Sequence, residues 1–188
     1  MDYSLPLRAV ITGGPGTGKS TLLAALAEDG LVTFPEVARN ILQAPGGMAL
    51  RADRPAEFAA AMLDAERTAW FAGEPGWSVY DRGFPDIAAF LELEMIAVST
   101  DILEACCKLR YSAPIFRAPP WREIYLTDEE RIQSWDQAIE SDLAVCASWR
   151  KYDYELIDLP LAPVANRVQF VRDMLSGYLA SCAQRPYA

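Results

Sequence analysis

Gly13-Gly14-Pro15-Gly16-Thr17-Gly18-Lys19-Ser20 carries the strongest chemical signal in the chain. It matches G-x-x-x-x-G-K-[ST] in full. Glycines let a backbone curl until several N–H groups face one point, which makes a nest for phosphate oxygens. A helix starting at once aims its free N–H groups and positive dipole end at the same place. Lys19 then reaches the β and γ phosphates, and Ser20 ligates Mg²⁺. The expected nucleotide-binding set is Gly13, Gly14, Pro15, Gly16, Thr17, Gly18, Lys19, Ser20 and Thr21. Such a pattern also arises by chance. Here it has the context it demands, an apolar run before it and a helical pattern after it.

Two more stretches carry charge where chemistry needs it. Trp77-Ser78-Val79-Tyr80 runs into Asp81-Arg82-Gly83. A carboxylate at the carboxyl end of a strand faces the crevice where open α/β sheets bind ligands. Asp81 there can hold Mg²⁺ or orient an acceptor hydroxyl, and Arg82 can clamp phosphate. The bland reading is a helix-capping Asp and a surface Arg. Phe34-Pro35-Glu36-Val37-Ala38-Arg39 ends another short apolar run. Glu36 can accept the proton of an attacking hydroxyl, and Arg39 can hold an anionic part of the acceptor. A first-turn glutamate favoured by the helix dipole explains Glu36 equally well. Whether Glu36 or Asp81 is the general base stays open.

These residues need elements to position them. Residues 7–12, 31–34, 77–80, 114–116 and 154–159 read as short buried strands. Residues 19–29, 36–43, 55–71, 86–97, 101–109, 134–151 and 164–179 read as helices. Pro45 to Pro55, with Pro45-Gly46-Gly47, reads as a loop. Strands alternating with helices imply an α/β fold with a parallel sheet covered on both faces.

Composition narrows the function. The chain has 188 residues, which fits one domain over 1–188. It has no histidine, which excludes histidine bases, triads and metal ligands. Its net charge of −9 and lack of a basic run argue against nucleic-acid and anionic-membrane partners. Cys106, Cys107, Cys146 and Cys182 show no metal-like spacing and read as reduced thiols. No run approaches the length of a membrane span, and a cytoplasmic protein is expected.

Several nucleotide-hydrolase classes lack their marks. N-K-x-D and D-x-x-G, needed by a GTPase switch, do not occur. Leu175-Ser176-Gly177 only hints at an ABC-type signature and lies at the wrong end. Ile124 to Glu129 approximates the strand ending in Asp-Glu of an AAA-type ATPase. Thr127 followed by Glu130 makes a capping box, and that reading is preferred.

The combination GGPGTGKST, PEVAR, VYDRG and APPWREIYLTDEERIQSWDQA resembles the AAA_28 family of P-loop ATPase and kinase-like proteins. It is similar, more loosely, to nicotinamide-riboside and nucleoside or nucleotide kinases. The resemblance implies a three-layer α/β/α sandwich with a five-stranded parallel sheet ordered 2-3-1-4-5. It also implies a helical lid over about residues 121–134. In that lid Arg131, and with it Arg122, swing over the γ-phosphate and contact substrate. Leu159-Pro160 lies against the adenine ring in similar kinases, and it also fits a plain strand-ending turn. Three consecutive acids, Asp128 to Glu130, depart from the arginine-rich lids of such kinases.

The expectation is therefore an ATP- and Mg²⁺-dependent kinase acting on a small hydroxyl-bearing molecule. The alternative is an ATPase that couples nucleotide binding or hydrolysis to a protein partner.

Overall fold

A computed structural model describes residues 6–112, 114–125 and 134–183. Five strands form one parallel sheet: β1 (Pro6–Thr12), β2 (Val32–Phe34), β3 (Gly76–Asp81), β4 (Ile115–Arg117) and β5 (Leu156–Asp158). Their order is β2-β3-β1-β4-β5, as expected. Parallel neighbours require crossovers, and helices supply them. These are α1 (Lys19–Glu28), α2 (Val37–Gln43), α3 (Gly47–Asp53), α4 (Pro55–Phe71), α5 (Phe84–Leu93), α6 (Thr100–Lys108), α7 (Trp135–Lys151) and α8 (Val164–Ala183).

Period-two alternation builds a core on each face. Ala9 and Ile11 of β1, Val79 of β3 and Phe116 of β4 pack with Leu22, Leu26 and Val171 from α1 and α8. Val10, Tyr80 and Ile115 point the other way, onto Phe58, Ile87 and Trp149 from α4, α5 and α7. β1 lies at the centre, between β3 and β4, so Val10 and Ile11 are fully buried on opposite faces. Such strands read as continuous apolar runs, which is what residues 7–12 show.

One segment departs from the sequence reading. Pro45 to Pro55 is not a loop throughout, because α3 occupies Gly47–Asp53. The Pro45-Gly46 turn marks an entry rather than a long break. Gly46, at φ 80°, precedes the helix, and Met48, Ala49, Leu50 and Arg51 are good helix formers. Gly47 is required by packing, since a Cβ there would lie 1.9 Å from the Ile41 carbonyl oxygen.

The parallel arrangement puts Thr12, Phe34, Asp81, Arg117 and Asp158 at one edge of the sheet. The chain leaves β1 toward β2 and β3, then returns to β4 on the other side. That reversal opens a crevice at the carboxyl end of β1, where the glycine-rich loop begins.

Candidate active site

The loop between β1 and α1 folds as a phosphate nest. Gly13, Gly16 and Gly18 have φ of 128°, 74° and 76°, a region in which L side chains are strained. Neighbours also press on it. A Cβ at Gly13 would lie 2.4 Å from the Ala118 carbonyl oxygen, and one at Gly14 2.7 Å from that of Ala138. Lys19 is buried, and its Nζ donates to the carbonyl oxygens of Gly13 (3.1 Å) and Gly14 (2.6 Å) and to Thr17 Oγ1 (3.3 Å). Burial lowers its pKa to about 8, helped by repulsion from Arg82 and opposed by Asp81, Glu36 and Asp86. Ser20 is exposed at the mouth of the loop.

The acids and arginine predicted from the other strand ends converge here. Arg82 Nε donates to Glu36 Oε1 at 2.7 Å. Arg82 Nη1 donates to the Gly13 carbonyl at 3.1 Å and to Asp86 Oδ1 at 3.0 Å. Arg82 has φ 75°, the left-handed region. Such a conformation costs about 1–3 kcal/mol and persists where surroundings over-determine it. Here the Arg82 N–H donates to the Ile11 carbonyl, and two carboxylates hold its guanidinium. Burial works to raise the Glu36 pKa, but Arg82 and Lys19 outweigh it and hold the carboxyl below its ordinary value. Asp81 is the opposite case. Burial pushes it up to about 6, against the pull of Lys19.

Asp81 and Ser20 have donors that suit Mg²⁺. Ser20 Oγ lies 3.5 Å from Asp81 Oδ2, and Asp81 Oδ1 is buried with no hydrogen-bond partner among the described residues. A hydroxyl beside an unspent carboxylate oxygen is a fitting hard-oxygen pair for that ion.

Other residues around the loop were not singled out from sequence. Asp86 is buried and accepts from Thr12 Oγ1 (2.7 Å), Arg82, the Gly83 N–H (3.0 Å) and Trp149 Nε1 (2.9 Å). An acid three residues into a helix that begins after Gly83 was the available signal. Asp142 of α7 accepts from the Gly14 N–H at 3.3 Å and pairs with Arg117 at 2.6 Å. A cavity of about 320 Å³ adjoins the loop. It is lined by Gly16, Gly18 and Thr21 together with Trp121, Ile124, Pro163 and Arg167. Tyr125 lies against the loop as well, its ring 2.6 Å from where a Gly16 Cβ would stand.

The remaining candidates sit elsewhere. Arg39 is exposed, and its charge contributes to lowering the Glu36 pKa. Arg122 lies over the Trp135 ring at 4.8 Å rather than joining the ion-pair cluster. Leu159 is buried in the core, and Pro160 follows it; residues 162–164, rather than 159–160, reach the cavity. Arg131, Asp128 to Glu130, Thr127 and the 126–133 part of the expected lid lie outside the described residues.

Residues 8–167 match the AAA_28 family, described as an AAA domain. The chain belongs to that family. No curated protein matches it in sequence. Solved structures match the AAA_28 chain in fold. Deoxyadenosine kinase from M. mycoides, seen with dCMP and dCDP, aligns with a TM-score of 0.67 at 15% identity, covering 91% of this chain and 99% of that one. NadR in complex with NR aligns with a TM-score of 0.69 at 16% identity over 93% of this chain and 53% of NadR. Shikimate kinase from Aquifex aeolicus aligns with a TM-score of 0.57 at 12% identity, covering 91% and 97%. The AAA_28 chain thus has a P-loop kinase-like fold. Among its described residues no helix is long and apolar enough to cross a membrane.

Proposed function

We propose that the chain is an ATP- and Mg²⁺-dependent phosphotransferase. It would move the γ-phosphoryl group of ATP to a hydroxyl of a small-molecule acceptor. The whole of 1–188 acts as one kinase-like unit, with a lid over about 121–134. The observation that carries this reading is the cluster of Glu36, Asp81 and Arg82 around Lys19. A simple nucleotide-binding module has no need of two carboxylates and a strained arginine at the mouth of a phosphate nest.

Each residue has a part in the reaction. The loop N–H groups and Lys19 hold the β and γ phosphates. Ser20 and Asp81 would hold Mg²⁺, which when bound neutralises charge on those phosphates. With Asp81 so engaged, Glu36 is the base. Arg82 keeps it ionised and oriented, at 2.7 Å. The acceptor oxygen attacks the γ-phosphorus, the bond to the β-phosphate oxygen breaks and ADP leaves. The hydroxyl proton passes to Glu36. Arg82 and, from the lid, Arg131 offset charge on the transferring group. Arg39 and Arg122 would contact the acceptor, and the cavity lined by Trp121 and Pro163 takes the base of ATP beside the Leu159-Pro160 turn. The acidic surface makes nucleic acid and anionic membranes poor partners.

The test is ATP consumption with Mg²⁺ and a pooled metabolite library, with products read by mass spectrometry. A metabolite gaining one phosphoryl group, and losing that gain in Lys19→Ala, supports the reading. Free phosphate with no modified metabolite would replace it with an ATPase acting through a protein partner.

A further inference from the structure

Arg167 is the fourth residue of α8, and it is 4% exposed. Its Nη1 donates to the Thr17 carbonyl of the phosphate loop at 3.1 Å. Its Nε is buried and has no partner among the described residues. Two other arginines beside the loop are matched by acids. Arg82 has Glu36 and Asp86, and Arg117 has Asp142 and Asp158. No carboxylate among the described residues pairs with Arg167. Burial lowers its pKa, and no acid acts to raise it. A buried guanidinium without a counter-charge is unfavourable, and a bound anion removes the penalty.

Location identifies the anion. The cavity beside Arg167 holds about 320 Å³ and is lined by Trp121, Ile124 and Pro163 as well as by loop glycines. That size and apolar lining suit a base and sugar. The β and γ phosphates belong in the nest around Lys19. The phosphate joined to the sugar must then lie where cavity and nest meet. Arg167 stands there, 3.0 Å from where a Gly18 Cβ would be. We infer that Arg167 is a nucleotide-binding cation whose guanidinium is the counter-charge of the α-phosphate, at the seam between nest and cavity. This rests on the nucleotide site proposed above and adds a residue that the glycine-rich motif does not contain.

Two variants separate charge from propping. Arg167→Gln keeps a donor for the Thr17 carbonyl and removes the charge. Arg167→Lys keeps both. Calorimetric ATP binding is expected to weaken about tenfold or more in Arg167→Gln. It should stay within about threefold of the parent in Arg167→Lys. Adenosine binding should be unchanged in either. Without nucleotide, Arg167→Gln should melt no lower than the parent, because an uncompensated charge is gone, yet gain less Tm from ATP. Equal ATP affinities for the two variants would overturn the inference. So would a lower apo Tm for Arg167→Gln, which marks a structural prop, or a matching loss of adenosine binding, which marks a base or sugar contact. If the parent binds no ATP, the nucleotide site itself is lost and the inference falls with it. If the parent binds ATP and both variants bind it equally, the nucleotide site stands and only Arg167 is reassigned.

Discussion

Lys19 and Asp81 show how one environment tunes two groups in opposite senses. Both are buried, and burial favours the neutral form of each. Lys19 therefore falls to about 8, and Asp81 rises to about 6. Between these values the lysine is charged and the aspartate ionised, which is the pairing that phosphate and Mg²⁺ binding need. Below about pH 6 Asp81 gains a proton, and above about pH 8 Lys19 loses one. We expect kcat/KM for ATP, which reports the free enzyme, to be bell-shaped with limbs near these two values. A rate constant flat from pH 5 to 9.5 would remove both groups from the reaction. Glu36, held low by Arg82, adds no limb in this window.

At the scale of elements, the phosphate loop is a part clamped from outside. The chain after β4 meets Gly13, and α7 meets Gly14 through the Ala138 carbonyl and Asp142. Arg117, at the end of β4, completes the clamp by pairing with Asp142. Nest geometry thus depends on packing across the sheet edge. Gly13→Ala meets two obstacles at once, φ 128° and a carbonyl oxygen 2.4 Å from the new Cβ. A loss of about 2–4 kcal/mol in urea denaturation is expected, from backbone strain plus overpacking, together with loss of ATP binding. A variant within about 0.5 kcal/mol of the parent, the range of neutral surface changes, would mean that the clamp yields freely.

Across the described residues of the molecule, one buried acid lies away from the phosphate loop. Glu66 of α4 is 3% exposed and accepts from Tyr111 Oη at 2.6 Å. Burial raises its pKa to about 8, although the Tyr111 bond works to lower it. The sign follows from linkage. From its ordinary 4.5 up to about 8 the folded state holds a proton that the unfolded state has shed, so stability falls as pH rises. Glu66→Gln keeps an acceptor for Tyr111 and removes the titration. Its Tm relative to the parent should climb between about pH 5 and pH 8, then level off. A constant difference across that range would show that Glu66 ionises without cost. Tyr111 also packs against Gly83, where a Cβ would lie 2.8 Å from its ring, so this core acid braces the turn that carries Arg82.

The strands, the glycine nest and the strand-end acids were legible because consecutive residues decide them, whereas the strand order β2-β3-β1-β4-β5 followed from the family resemblance and not from any local pattern. Short apolar runs specify buried strands, glycines specify a curled loop, and a motif at a strand end specifies which side chains face the crevice. Glu36, Asp81 and Arg82 were found this way. The Gly47–Asp53 helix was missed because a Pro-Gly turn hides the start of a short helix whose formation depends on packing against α2 and α4. Asp86 had a local signal in the capping position after Gly83, but Asp142 and Arg167 were missed for a deeper reason. Asp142 and Arg167 meet the loop from 128 and 150 residues away along the chain. Whether a buried charge finds a partner, or is left waiting for one, depends on which helices the core presses together, and no local pattern of residues records that.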